Sequence, residues 1–117
     1  MIDDHILFKI LIEWAESGSP KSYTDLSNAY QAKTGEWHEP HGSWDVPLGK
    51  LNNLLAAKGA PAISSLVILK GANEPGGNFW GCAPNVPERP KDEMKRFTEL
   101  DKIWKAVFQY DWRKILA

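Results

Sequence analysis

Cysteine is nearly absent from this sequence. Cys82 stands alone among 117 residues, which excludes an intrachain disulfide and any site built on paired cysteines. A reducing, cytoplasmic location is the expectation. No apolar run approaches the roughly 20 residues that a membrane helix needs. The opening MIDDHILFKILIEWAESG puts two acids before an apolar stretch that itself carries charge, unlike a signal peptide, so no membrane partner is expected. Excess charge is missing too: 14 Lys and Arg face 15 Asp and Glu, for a net charge of −1, which argues against an indiscriminate binder of polyanions. Also lacking are a nucleophile–base motif, a phosphate loop and a paired-carboxylate signature. The chain therefore reads as non-enzymatic, without cofactor or metal.

Aromatic residues are what the chain has in plenty. Six Trp, four Phe and three Tyr supply enough large apolar surface for one core at this length. The whole chain, 1–117, reads as one domain. Residues 1–82 form a helical core plus hairpin, and residues 83–117 form a proline-rich connector and a C-terminal helix. Charge is unevenly spread. Residues 1–20 hold four acids and one base, whereas residues 83–117 hold eight bases and six acids, which permits a modest basic face.

Ile6, Leu7, Ile10, Leu11 and Trp14 mark one stripe of a helix over 4–17, capped by Asp3 or Asp4 and stopped by Gly18. Ser22 or Thr24 caps a second helix, with Leu26, Ala29 and Tyr30 inward and Gly35 closing it. EWHEPHGSWDVP, with two prolines and two tryptophans, predicts an ordered loop, since flexible linkers seldom carry tryptophan. A third helix starts at Asp45 as N-cap, with Pro47 in its first turn, buries Leu48, Leu51, Leu54 and Leu55, and ends at Gly59. SSLVILKG reads as a strand, ANEPGG as a turn and NFWGC as a returning strand. A short extended piece near Tyr23 is a candidate third strand. APNVPERP, with three prolines, is irregular, and an amphipathic helix follows from about Lys91, fraying near QYDWRKILA. Three helices, a β-hairpin wing and a C-terminal helix make an α+β, winged-helix-like order, in which the third helix is the reader.

SYTDLSNAY, PLGKLNNLLAAKGAP and SSLVILKG together resemble the carboxy-terminal winged-helix half of the alkylguanine DNA alkyltransferases and alkyltransferase-like proteins, with their TYGDLA and PCHRVV words. Tyr23, Asp25, Leu26, Gly49, Leu54, Val67 and Gly71 fall at comparable places. The resemblance covers about residues 22–71 and implies a DNA-facing winged helix. It does not extend to the chemistry. Ser64 stands at the nucleophilic cysteine, Ser65 at the histidine and Leu66 at the arginine, and a serine without an adjacent base is not activated. AISSLVILKGANEPGGNFWG, RPKDE and the final YDW are also similar to small bacterial and phage proteins, some tied to defence systems.

Two sets of candidate residues follow. On the third helix, Lys50 and Asn53 face away from the leucines with Asn52 beside them; Lys can hold phosphate or guanine and Asn can pair with adenine. The same residues also suit an ordinary solvated face. In the turn, Lys70, Asn73 and Asn78 are placed to touch a DNA backbone and Gly76 and Gly77 to allow close approach, although Glu74 at the tip would repel phosphate. The second set is Trp37, His38, His41 and Trp44, either a platform for a protein partner or anchors pinning a long loop. His38 and His41 near Glu36, Glu39 and Asp45 lack the spacing of known metal ligands. The reading is a double-stranded-DNA-binding protein; the alternative is a protein-binding inhibitor, immunity protein or adaptor on the same scaffold.

Overall fold

The computed structural model describes residues 2–116, with the side chain of residue 116 outside the description. Helix α1, Asp4–Ser17, begins where the Asp3 side chain accepts the His5 and Ile6 N–H groups and ends at Gly18 in the left-handed conformation, φ 71°. Strand β1, Lys21–Ser22, runs directly into α2, Tyr23–Thr34. A capping box makes that abrupt switch: Ser22 Oγ accepts the Asp25 N–H, and the Asp25 carboxylate accepts the Ser22 N–H. Helix α3, Asp45–Ala57, follows the tryptophan-containing loop. Its N-cap is Trp44 without a side-chain bond, so Asp45 is the first helical residue rather than the cap expected from sequence.

The next segment departs from the expected strand. Ile63–Leu66 is a 3₁₀ helix with all four residues buried, packed among α1, α3 and α4, where α4 spans Glu93–Gln109. Only Val67–Ile68 is extended, as β2. It pairs in parallel with β1, Lys21 opposite Val67 and Ser22 opposite Ile68. The sheet stays this short because the capping box ends β1 at Ser22.

Among the described residues no returning strand forms at 78–82; the chain there is a series of turns. Phe79 and Trp80 explain why. Both are buried in one cluster with Ala62, Ala83, Val86 and Leu100, whereas neighbours on a strand point to opposite faces. Burying two adjacent rings in one cluster favours a turn over a hairpin arm.

The larger core joins Leu7, Ile10 and Leu11 of α1 to Leu26 and Tyr30 of α2, Leu51 and Leu55 of α3, and Val107 of α4. A last short helix, α5, Trp112–Leu116, is formed where the sequence suggests fraying. Trp112 closes the core against the edge of Phe8, with centroids 6.0 Å apart, and donates Nε1–H to the Val107 carbonyl at 2.8 Å. The architecture is thus α+β and rich in helix. No helix among the described residues is long and apolar enough to cross a membrane.

Candidate functional site

Lys50 and Asn53 lie on the exposed face of α3 as expected, but Asn52 and Leu54 exchange places. Leu48, Leu51, Asn52 and Leu55 are the buried residues of the helix, while Leu54 is 51% exposed and Val46 80%. Asn52 is fully buried: its Nδ2 donates to Ser64 Oγ and lies 3.4 Å from Cys82 Sγ. It cannot reach a base edge, which corrects its assignment as a DNA contact. The physical reason is that the Ser64 hydroxyl satisfies it inside, so an amide takes a core position that a leucine was expected to hold. Lys50 remains exposed but pairs with Asp4 at 2.8 Å. Asn53 donates to the carbonyls of Gly49 and Cys82, at 2.9 and 3.2 Å, and so holds the 78–82 turns against α3.

The partner-binding set divides. Trp44 is fully buried and donates Nε1–H to Ser27 Oγ at 2.9 Å, and Ser27 in turn donates to the His38 carbonyl at 2.6 Å. Tyr30, His38 and Trp44 meet edge to face. Trp44 and His38 are therefore anchors, and Trp44 as a partner contact is corrected: a ring with no exposed surface touches no partner. Trp37, 44% exposed, and His41, exposed, stay on the outside. Among the described residues no three His, Cys, Asp or Glu side chains gather as metal ligands would.

Two concave features flank Tyr23. The first is a groove of about 300 Å³ lined by Lys21, Ser22, Thr24, Lys70, Gly71 and Asn73. Parallel pairing of β1 with β2 sets Lys21 opposite Val67, so Lys21 and Lys70, 49 positions apart in sequence, line the same groove. Neither lysine takes part in an ion pair among the described residues. Asn73 sits at φ 56°, a left-handed conformation that asparagine tolerates. Asp25 also borders the groove; its Oδ2 accepts the Ser22 N–H in the capping box, and its charge stands beside the two lysines.

The second feature is an open cleft of about 160 Å³ between the 35–44 loop and the 69–82 loop, lined by Tyr23, His41, Asp45, Leu69, Gly76 and Asn78. Tyr23, Asp45 and Asn78 also border an inner recess of about 10 Å³ that reaches Ser64 and Cys82, room for about one water. Gly76 N–H donates to Tyr23 Oη at 3.2 Å. A Cβ on Gly76 would lie 3.1 Å from that oxygen, a tight contact that would push the phenol and the loop apart by a few tenths of an ångström. Burial pushes the Tyr23 phenol above its ordinary pKa, against the Gly76 N–H, which acts to lower it. The group is an uncharged phenol at neutral pH. Asn78 Nδ2 donates to Asp45 Oδ2 at 2.9 Å.

Glu74 does not behave as a repelling tip. Arg96 of α4 holds it with two hydrogen bonds, at 2.9 and 3.2 Å, and both side chains are only 12% exposed. Sequence reasoning also missed Lys21, Thr24, Tyr23 and Asp45 at these surfaces. The signal for Tyr23 was available, an aromatic residue directly after a capping serine; its link to Gly76, 53 positions away, was not. No protein-family model, curated protein or solved structure matches the chain.

Proposed function

We propose that this chain is a non-enzymatic double-stranded-DNA-binding protein that grips the backbone through the Lys21–Lys70 groove. The observation that carries the reading is the meeting of two unpaired lysines with Thr24 and Asn73 in one groove at the start of α2. Cationic and hydroxyl groups of this kind hold phosphate oxygens, and the N-terminal end of a helix favours anions. Neutralisation of Glu74 by Arg96 removes the main repulsive charge from the neighbouring loop. On this reading the 69–74 segment takes the place of a wing, and the resemblance to the alkyltransferase-like winged helix supplies the same expectation for the scaffold. Lys70 and Asn73 keep the role assigned to them from sequence, and Lys21 and Thr24 replace Asn52 and Asn78.

The test is fluorescence anisotropy of a labelled duplex at about 50 and 200 mM salt. Two phosphate contacts give a loss of about tenfold over that range. The Lys21→Ala/Lys70→Ala double variant should flatten the salt slope by about 2 with an unchanged melting temperature. Absence of affinity at low salt, or a slope indifferent to both lysines, refutes the proposal. A second reading, a protein-binding module, is favoured by a different feature: Val46 and Leu54 are exposed apolar side chains on α3, and Trp37 is exposed on the loop before it. Replacing these three residues leaves DNA affinity intact on the first reading and removes a captured partner on the second.

A further inference from the structure

The cleft beside the groove has the opposite electrostatic character. No lysine or arginine lines it; its charged group is the Asp45 carboxylate, with His41 the nearest titratable base. Asp45 is half-buried and takes part in no ion pair among the described residues. Asn78 occupies one lone pair of Oδ2, so Oδ1 is left with no donor among the described residues. The rest of the lining comes from Tyr23, Leu69, Pro40, Gly42, Gly76 and Gly77. An anionic ligand would meet a carboxylate here with no cation to offset it.

From this lining we infer that the cleft is a binding site for a guanidinium group on an alkyl stem. A planar fork of N–H donors matches a carboxylate with a free oxygen and stacks on an aromatic ring, whereas an ammonium keeps more of its water in an open cleft. Leu69 and Pro40 provide apolar surface for the methylenes. The volume of about 160 Å³ has room for a guanidinium and the end of its stem, with the rest of the ligand outside the open mouth. Asn78 contributes its amide by fixing the carboxylate, so it is a positioning residue of the site. This site is independent of the DNA groove, whose phosphate chemistry Asp45 would oppose. The guanidinium has two sources, an arginine side chain of a protein partner or a small free guanidine.

The experiment titrates ¹⁵N-labelled wild-type protein with a blocked arginine, N-acetyl-arginine methylamide, and with its neutral isostere from citrulline, followed by two-dimensional NMR. Saturable shifts at Tyr23, Asp45, Gly76 and Gly77 are expected with the arginine compound, and binding about tenfold weaker or worse with the citrulline compound. Equal affinity for the two, or no shifts at those amides, overturns the inference. Because this comparison uses only wild-type protein, it does not depend on any variant folding. Asp45→Asn should bring arginine binding down to the citrulline level while duplex DNA affinity is retained; unchanged arginine binding in a folded Asp45→Asn protein also overturns it. Agmatine and a pentapeptide with a central arginine separate the sources: tighter peptide binding assigns the site to a protein partner, and exclusion of the peptide assigns it to a free guanidine. Neither arm involves Lys21 or Lys70, so failure here leaves the DNA proposal standing.

Discussion

The two long loops that face each other across the cleft are held down in different ways. The 35–44 loop is fastened by an aromatic residue: Trp44 is wholly buried, its indole N–H bonded to Ser27 and its ring set edge-on against Tyr30 and His38. The 69–82 loop is fastened at its far end by buried Phe79 and Trp80, but its middle is held by polar groups: Glu74 on Arg96, the Gly76 N–H on Tyr23 and Asn78 on Asp45. Desolvated rings give a non-directional anchor of several kcal/mol, while charged and polar links give position at smaller net stabilisation. The first loop is therefore the fixed wall and the second the wall whose placement depends on a few directional contacts. Both surfaces assigned function, groove and cleft, border that second loop.

Trp44→Ala should have the largest effect on this contrast. Loss of a fully buried indole costs about 3–5 kcal/mol, whereas Trp37→Ala on the same loop should stay within about 0.5 kcal/mol. Chemical denaturation reads both, and comparable losses would mean that the loop is anchored elsewhere. Next comes Glu74→Ala, which strands the Arg96 guanidinium in a position only 12% exposed. The expected loss is on the order of 2 kcal/mol, with faster amide exchange over residues 69–78 and none over residues 36–44. A uniform rise in exchange would contradict separate anchoring. Gly76→Ala is milder. The added Cβ starts 3.1 Å from Tyr23 Oη, so the loop shifts and the N–H bond is lost, at about 1 kcal/mol; the tyrosine absorbance titration should move with it, toward higher pH if the N–H bond is lost and burial persists.

An exposed pair outside both loops sets the floor. Arg113 holds Glu16 through hydrogen bonds at 2.9 and 2.8 Å and pulls its carboxyl below the ordinary value of 4.5. Because the folded-state pKa is depressed, the contribution is present above about pH 4.5 and is lost as pH falls through the lowered value. Trp112 fluorescence followed against pH should show a small acid-side change that Glu16→Gln abolishes, with little effect on either loop. Solvent screening keeps this effect the smallest of the set.

Local signals explain what could be read before folding. Asp3 and Ser22 lie where their side chains cap the N–H groups of α1 and α2, and Gly18 and Gly35 take the left-handed turn that ends those helices. These features act within a few residues and are legible as spacing. Lys70 and Asn73 were named from sequence because a glycine-containing turn surrounds them, and both line one groove. Asn52 and Leu54 were not legible. Helical period allows either to face inward, and the choice fell to Asn52 because Ser64, brought in by the 3₁₀ helix, satisfies its amide.

The sequence by itself determined helices α1 to α4, the glycine stops of α1 and α2, the single thiol and the near-zero net charge, because each of these depends on neighbours along the chain. Only the tertiary structure decided that Val67–Ile68 pairs with Lys21–Ser22 and not with a hairpin arm. It also decided that Phe79 and Trp80 share one cluster, and that Glu74 meets Arg96 rather than solvent. Each of those outcomes turns on which distant residue supplies a hydrogen-bond partner, an opposite charge or an apolar surface. That partner is fixed by packing, which no local period of the sequence encodes.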